Sequence, residues 1–335
     1  MLKIGIIGFG YWGPNLVRNF TNQLEAIVVM VADGRNERLQ VLKKNYPNID
    51  AVQSAEDILK NPNIDAVVIA TEVFSHYKLA KEALLNGKHV LLEKPMTSSS
   101  IEAEDLIDIA LKKNLVLMVD HTFLYTGAVQ KIKELIDDNA IGSPRYFDSS
   151  RINLGLFQND INVLWDLAPH DISILTFLIK NKPFSVNATG ISHTKNNIEN
   201  IAYMTVNYEQ DFIAHFNCSW TSPVKIRQTL IGGDSKMIVY NDLEPSEKVR
   251  VYDTGYDHRT DEELNRIRVD YRNGDVYIPK LNSKEALFSV AEDFISSIIY
   301  KNTPLSNAYL GLEVVKILEA SEISIKNNGK EVKIT

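Results

Sequence analysis

Residues 4–17 read IGIIGFGYWGPNLV, and this stretch decides the fold of the N-terminal part of the chain. An apolar run suited to a buried strand ends in a glycine-rich turn made of Gly8, Phe9, Gly10, Tyr11, Trp12 and Gly13. In such a spacing the first glycine makes a tight turn, the second lets the backbone approach a pyrophosphate, and the third lets helix pack on strand. The helix predicted from residue 15 would offer unpaired N–H groups to the phosphates.

A second apolar run, residues 26–32, ends at Asp33. An acid about twenty residues after the glycines is placed to bind the ribose hydroxyls of a dinucleotide. We therefore predict a dinucleotide site rather than a glycine-rich turn before a surface helix. A carboxylate there repels a 2′-phosphate, so NAD is the expected cofactor. Arg35 and Arg38 would favour a phosphate, which leaves NADP open.

The composition places the chain among soluble globular proteins. Its 335 residues suggest two domains. A net charge of −7 argues against a nucleic-acid partner, and no apolar run reaches the roughly 18–20 residues of a membrane span. Cys218 is the single cysteine and is expected in the core. Because the N-terminus lacks a signal-peptide cleavage site, we expect a cytoplasmic protein that is complete at its first strand.

The order of predicted elements changes near residue 121. Residues 1–121 alternate strands and helices, which predicts a doubly wound parallel sheet. Residues 122–335 contain consecutive strand-like stretches joined by short polar turns, with helices near 128–139, 169–179, 284–301 and 308–327. This part predicts an α+β domain with a large open, mostly antiparallel sheet. Nothing in the charged segment 253–274 indicates a function.

The tripeptide Glu93-Lys94-Pro95 follows a predicted parallel strand, at the edge where open α/β sheets bind ligands. A lysine there would bind a substrate hydroxyl and stabilise charge on its oxygen during hydride transfer. The alternative is a solvated loop that begins the next connection. His121 follows another strand end and could line the same cleft, and His76 lies near this edge.

A dense group of polar residues occurs in LWDLAPHD, residues 164–171. Since proline belongs in the first turn of a helix, we expect the helix to begin near residue 168 or 169. His170 would suit proton transfer, because the ordinary pKa of histidine lies near 6.5, and Asp166 could orient it. Alternatively, Asp166 caps the helix and His170 is a satisfied polar residue. No third ligand supports a metal site.

Several motifs together resemble the glucose–fructose oxidoreductase/inositol dehydrogenase (Gfo/Idh/MocA) family. They are the GFGYWG turn, the acid at Asp33, ATEVFSHYKLAKEALLNGKHVLLEKP, WDLAPHD and PLSNAYLGLEVVKILEASEISIKNNG. The resemblance implies an N-terminal Rossmann domain and a C-terminal domain whose open sheet faces the substrate and builds homodimers or homotetramers. It makes Lys94 the lysine of the family's Glu-Lys-Pro motif and matches Asp166 and His170 to its catalytic pair.

The same resemblance extends the expected cofactor site. Besides the glycine turn and Asp33, the predicted cofactor contacts are Thr71, His76, Glu93, Lys94, Pro95 and His121. One departure is Glu72, where the family commonly has a proline after the threonine. We expect this departure to affect the local geometry of the loop and to leave the fold unchanged.

Three stretches are similar to a branch of the family associated with nucleotide-sugar biosynthesis, namely GYWGPNLVRNF, HTFLYTGAVQKIKELI and RINLGLFQNDINVLWDLAPHD. This similarity implies oxidation of a UDP-N-acetylhexosamine, or its uronic acid, at the 3-hydroxyl, in making surface-polysaccharide or lipid A sugars. The predicted substrate contacts are Lys94, Arg151, Asn153, Asn162, Trp165, Asp166 and His170. Strand-edge and capping roles for the arginine and asparagines stay open, as do a free-sugar or inositol dehydrogenase and a non-catalytic sensor.

Overall fold

The computed structural model describes residues 1–155, 157–209, 211–253, 255–256, 271–272 and 274–334. The chain forms two compact units, of which the first comprises residues 1–126 and 284–316 and the second the described residues of 127–283 and 317–335. The sequence predicts a domain boundary after residue 121, which is close to residue 126, where the first segment of the first unit ends. The predicted boundary assigns residues 284–316 to the second domain, whereas in the structure these residues belong to the first unit.

The first unit contains a parallel sheet of six strands in the order β3-β2-β1-β4-β5-β6. This order confirms the predicted doubly wound fold. The elements are β1 (Leu2–Ile7), α1 (Gly13–Thr21), β2 (Ala26–Ala32), α2 (Asn36–Asn45), β3 (Asp50–Val52), α3 (Glu56–Leu59), β4 (Ala66–Ile69), α4 (Val73–Leu85), β5 (His89–Glu93), α5 (Ser100–Lys113), β6 (Leu117–Asp120) and a 3₁₀ turn (Thr122–Tyr125).

The return of the chain to the first unit has a packing cause. Helix α8 (Ala286–Tyr300) contributes buried apolar residues to the same core as β1 and α1. Phe294 of α8 meets Phe20 of α1 edge to face, with ring centroids 6.3 Å apart, and Arg18 binds both carboxylate oxygens of Glu285. The apolar face of α1 is therefore covered by a helix more than 260 residues later in the chain.

The second unit contains a sheet of nine strands in the order β16-β13-β12-β11-β7-β10-β9-β8-β17. Neighbours pair antiparallel except β10 and β7, which are parallel. The elements are α6 (Gly127–Asp137), β7 (Pro144–Leu154), α7 (Val163–Leu178), β8 (Pro183–Ile191), β9 (Ile201–Tyr208), β10 (Ile213–Ser219), β11 (Thr221–Gly233), β12 (Met237–Asn241), β13 (Val249–Tyr252), β16 (Val276–Tyr277) and β17 (Val332–Lys333). Strands β14 (Gly255–Tyr256) and β15 (Tyr271–Arg272) form a separate antiparallel pair, and most of the charged segment 253–274 lies outside the described residues. Helix α9 (Ala308–Lys326) contributes residues to both units.

Helix α7 begins earlier than the sequence predicts. It starts at Val163 rather than near residue 168, because the Asn162 side chain caps it and accepts the N–H groups of Leu164 and Trp165. Pro169 lies inside the helix instead of in its first turn. Pro169 has no backbone N–H, so the helix lacks one hydrogen bond to the preceding turn there. The Asn162 side chain satisfies the N–H groups of Leu164 and Trp165, which allows the helix to begin before the proline.

Within the described part of the chain, no helix combines the length and apolar character needed to cross a membrane.

Candidate active site

A cavity of about 720 Å³ lies in the first unit, bordered by the loops after β1, β2, β4 and β5. Its volume is within the range of small-molecule and cofactor sites, and the carboxyl ends of parallel strands are where such folds bind ligands. The predicted cofactor residues that line it are Gly8, Gly10, Tyr11, Trp12, Asp33, Thr71, Glu93 and Lys94. Further lining residues, which the sequence did not assign as contacts, include Arg35, Gln53, Glu72 and Ser75.

The glycine turn has the backbone geometry that its spacing predicts. Gly8 has a φ of +101°, and a Cβ there would lie 2.3 Å from the Ala70 carbonyl oxygen. At Gly13 a Cβ would lie 2.4 Å from the carbonyl oxygen of Gly8. Trp12, the residue before α1, gives the helix no side-chain cap. Pro14 has no N–H, and the N–H groups of Asn15 and Leu16 donate to the Trp12 carbonyl oxygen at 2.9 and 3.3 Å. The expectation of unpaired N–H groups from residue 15 onward is therefore wrong for these two residues, and the close backbone approach of the glycine turn is what fits a pyrophosphate.

Asp33 is held by donors from two loops. Its Oδ2 accepts the N–H of Phe9 at 2.8 Å and Nη2 of Arg35 at 3.1 Å. Its Oδ1 accepts the backbone N–H and Nε of Arg35, at 2.9 and 3.0 Å. Burial alone would raise the pKa of Asp33, but the hydrogen bonds from Arg35 and Phe9 outweigh it and lower that pKa. Asp33 is therefore a fixed carboxylate in the wall of the cavity.

His76 joins two loops that border the cavity. Its Nδ1 lies 3.0 Å from the carbonyl oxygen of Pro95, and its Nε2 lies 3.0 Å from that of Thr71. Burial lowers the pKa of His76, so the ring is neutral and donates to one carbonyl. Glu72, at the departure from the family pattern, has a φ of −72°. Proline adopts that φ as well, so the backbone at Glu72 is compatible with the proline that the family commonly has there.

Five predicted cofactor residues are buried and are not among those that line the cavity: Phe9, Gly13, His76, Pro95 and His121. Phe9 contributes its backbone to Asp33, and His76 fixes the loop carbonyls. Burial, and then the charge of Lys94, lower the pKa of His121 to about 3. These residues are buried and do not line the cavity. The spacing of motifs in the sequence does not distinguish such residues from those that line it.

In the second unit, Asp166 and His170 lie four residues apart within α7 and so occupy one face of the helix. The indole Nε1 of Trp220 donates a hydrogen bond of 2.9 Å to Oδ2 of Asp166. The sequence alone does not predict this contact, because nothing in the local pattern around residue 220 connects it with residue 166. Asn153 lies in β7 and is half-buried.

Three predicted substrate contacts have structural partners. Arg151 is 3% exposed, and its Nε and Nη2 donate to the two carboxylate oxygens of Asp171 at 2.8 and 2.7 Å. This buried pair contradicts the predicted diphosphate contact, since the guanidinium fork is directed at Asp171. Asn162 caps α7, and the indole of buried Trp165 donates to Glu322 at 3.0 Å. Capping and core packing therefore account for these two side chains.

Two protein-family descriptions match this chain. Residues 2–121 match the oxidoreductase family with an NAD-binding Rossmann fold, GFO_IDH_MocA, and residues 129–239 match the GFO/IDH/MocA C-terminal domain. The chain belongs to the GFO/IDH/MocA family of oxidoreductases. Its first unit carries the NAD-binding domain, as the motifs predicted.

Individual relatives show what the chain is similar to. The UDP-N-acetylglucosamine 3-dehydrogenase of Acidithiobacillus ferrooxidans is 29% identical over 213 residues, which cover 62% of this chain and 64% of that protein. The myo-inositol 2-dehydrogenase of Thermotoga maritima is 23% identical over 194 residues, covering 56% and 58%. A solved structure of the Acidithiobacillus enzyme superposes with a TM-score of 0.82 at 22% identity, covering 98% and 99% of the two chains, which shows the shared fold.

Proposed function

We propose that this chain is an NAD-dependent dehydrogenase that oxidises the 3-hydroxyl of a UDP-N-acetylhexosamine, or of its uronic acid, to a ketone. The observation that carries the dehydrogenase assignment is the cavity of about 720 Å³ lined by the glycine turn, Asp33 and Lys94. The similarity to a UDP-N-acetylglucosamine 3-dehydrogenase supports the choice of substrate. Arg151 has no part in this proposal, since Asp171 holds its guanidinium.

NAD, when bound, accepts the hydride that leaves the sugar carbon. The side chain of Lys94 then binds the reacting oxygen and stabilises the negative charge that develops on it. A ring nitrogen of His170 takes the hydroxyl proton, and Asp166 orients His170 from one turn earlier in α7. The backbone of the glycine turn, residues 8–13, binds the pyrophosphate, and Asp33 binds the adenosine ribose.

A second candidate is an inositol or free-sugar dehydrogenase, which the similarity to myo-inositol 2-dehydrogenase favours. The two candidates share the cofactor, Lys94, Asp166 and His170. They differ in the part of the substrate beyond the reacting ring, because only a nucleotide sugar carries a diphosphate and a base. A substrate comparison, rather than a variant of the catalytic residues, separates them.

We also propose that copies of the chain assemble as a homodimer or homotetramer through one face of the nine-stranded sheet. That face exposes Tyr203 and Ile213, which are 48% and 49% exposed, and His215 stacks on Tyr203 with ring centroids 6.4 Å apart. Light scattering of the wild type and of Ile213→Asp measures the assembly. A monomeric wild type would contradict this proposal.

The catalytic assignment is tested with Lys94→Ala and His170→Asn. Each should lower turnover by about 10²–10⁴-fold, the usual contribution of one positioned proton-transfer group. The dissociation constant for NAD, measured by titration, should stay near that of the wild type. Near-wild-type turnover of either variant would refute its role. Tight binding of sugar without any reduced nicotinamide from the wild type would instead identify a sensor.

A further inference from the structure

Two carboxyl groups lie side by side at the wall of the cavity of the first unit, where Glu93 is a lining residue. Neighbouring strands β5 and β6 pair Glu93 with Asp120 in register, which places the two side chains next to each other on one face of the sheet. Oε1 of Glu93 and Oδ2 of Asp120 are both buried, and neither has a hydrogen-bond partner among the described residues. Asp120 is held on its other side, where Thr122 Oγ1 donates to Oδ1 at 2.7 Å.

The charges around the pair are few. Lys94 follows Glu93 directly, in the loop after β5, and its backbone N–H donates to Oε2 of Glu93 at 3.2 Å. His121 follows Asp120 and is neutral, since its pKa lies at about 3. Trp12, from the glycine turn, contacts Asp120 and is uncharged. Among the described residues, Lys94 is the cation that lowers the pKa of both carboxyl groups.

Two adjacent carboxylates in a buried site do not ionise together, because each charge disfavours the other and water is excluded from both. Burial, with the neighbouring Asp120, raises the pKa of Glu93 well above its ordinary value, and burial also raises the pKa of Asp120. A single proton between Oε1 and Oδ2 would supply the donor that these two buried oxygens otherwise lack.

We propose that Glu93 and Asp120 share one proton at neutral pH and act as a positioning pair for Lys94. The pair then carries one negative charge, which balances the single charge of the Lys94 ammonium. The hydrogen bond from Oδ2 fixes the Glu93 carboxyl, and Oε2 of Glu93 fixes the backbone of Lys94. The role of Lys94 in this inference rests on the proposed function, whereas the shared proton does not.

Infrared difference spectroscopy of the full chain in H₂O and D₂O tests the shared proton without substrate. Near neutral pH, carboxyl groups with ordinary pKa values of 3.8 to 4.5 are ionised. The wild type should therefore show the carbonyl stretch of one protonated carboxyl group, shifted in D₂O. Absence of that band would overturn the inference, whatever the substrate of the enzyme.

Two conservative variants locate the proton. Asp120→Asn and Glu93→Gln each replace one carboxyl by an amide that donates permanently, and each should abolish the band. The matched control is Asp105→Asn in α5, whose pKa is lowered by Lys81 and whose loss should leave the band intact. A band that persists in both folded test variants would contradict the assignment.

A kinetic readout tests the positioning role separately. Because an amide still donates to the remaining carboxylate, Asp120→Asn should keep turnover within about tenfold of the wild type, while Asp120→Ala should lose more. The kcat–pH profile of Asp120→Asn should lack the wild-type decline caused by loss of the shared proton. Equal loss in the Asn and Ala variants, with an unchanged profile, would refute the positioning role.

Discussion

Nε1 of Trp220 donates a hydrogen bond of 2.9 Å to Oδ2 of Asp166. Trp220 stands between β10 and β11 and is 1% exposed. Its backbone is fixed on both sides, since its N–H donates to the Asn200 carbonyl at 2.9 Å and its carbonyl accepts the Gly155 N–H at 3.0 Å. The sheet of the second unit thus holds the carboxylate that precedes His170 on α7.

We predict that Trp220→Phe lowers kcat while leaving the dissociation constant for NAD unchanged. The variant removes a hydrogen bond to a charged group, an interaction of about 1.5–3 kcal/mol. If that energy is lost from the transition state, kcat falls about 10–100-fold. Steady-state kinetics and cofactor titration measure the two quantities.

Phe216→Leu is the matched control for this variant, because Phe216 is another fully buried aromatic residue of the same sheet and packs on Phe147. It should reduce thermal stability to a similar degree and keep the wild-type kcat. Equal kinetic losses in the two variants would mean that Trp220 acts only through the packing of the core.

The Asp33–Arg35 pair predicts how the enzyme discriminates between NAD and NADP. The wild type should bind NAD more tightly, because Asp33 repels a 2′-phosphate and also occupies the Arg35 guanidinium. Asp33→Ser frees that guanidinium and should shift the ratio of dissociation constants toward NADP by about tenfold or more, or at least 1.4 kcal/mol. Adding Arg35→Ala should abolish this gain. Tighter binding of NADP by the wild type would contradict the assignment.

The buried Arg151–Asp171 pair predicts a stability effect. Arg151→Met leaves the Asp171 charge without its partner and should lower the free energy of unfolding by about 3–5 kcal/mol. Arg151→Met combined with Asp171→Leu should recover most of that loss. Denaturant unfolding measures both. If Arg151→Met instead raised the KM for a nucleotide sugar with little change in stability, the diphosphate role would be restored.

The Glu93–Asp120 pair predicts how stability depends on pH. Its carboxyl pKa values are raised in the folded state, so the folded protein binds more protons than the unfolded chain does. The pair contributes its full stabilisation when the pH is below the ordinary pKa values of carboxyl groups. This contribution is lost as the pH rises through the raised pKa values that the two groups have in the folded protein. Asp120→Asn should show a flatter decline above the ordinary range, and Asp105→Asn should follow the wild type. A wild-type slope in Asp120→Asn would oppose the shared proton.

The sequence predicts the fold well where local spacing carries the information. The glycine turn, Asp33 and the alternation of apolar strands with helices specify the six-stranded sheet, because each depends on neighbouring residues. The return of α8 to the first unit was missed, since the contact of Phe294 with Phe20 joins distant parts of the chain. The position of Pro169 predicts that α7 begins near residue 168, whereas the helix begins at Val163 because the Asn162 side chain caps it there.

Side-chain roles were harder to predict than positions. A buried arginine and a substrate-binding arginine have the same appearance in the sequence, and only the bidentate contact with Asp171 distinguishes them. Trp220 contacts Asp166 of helix α7, and Asp120 lies beside Glu93 because of the register of two strands, so neither partner is evident from the local sequence. His76 was placed at the correct edge, although it contacts loop carbonyls from behind the cavity wall.

The proposed activity of this chain is the oxidation of a nucleotide-activated sugar. The most direct measurement is the formation of reduced nicotinamide with NAD and a panel of UDP-N-acetylglucosamine, its uronic acid, glucose and myo-inositol. We predict the highest kcat/KM for one of the two UDP-sugars. Turnover of myo-inositol or glucose with none on either UDP-sugar would contradict the claim.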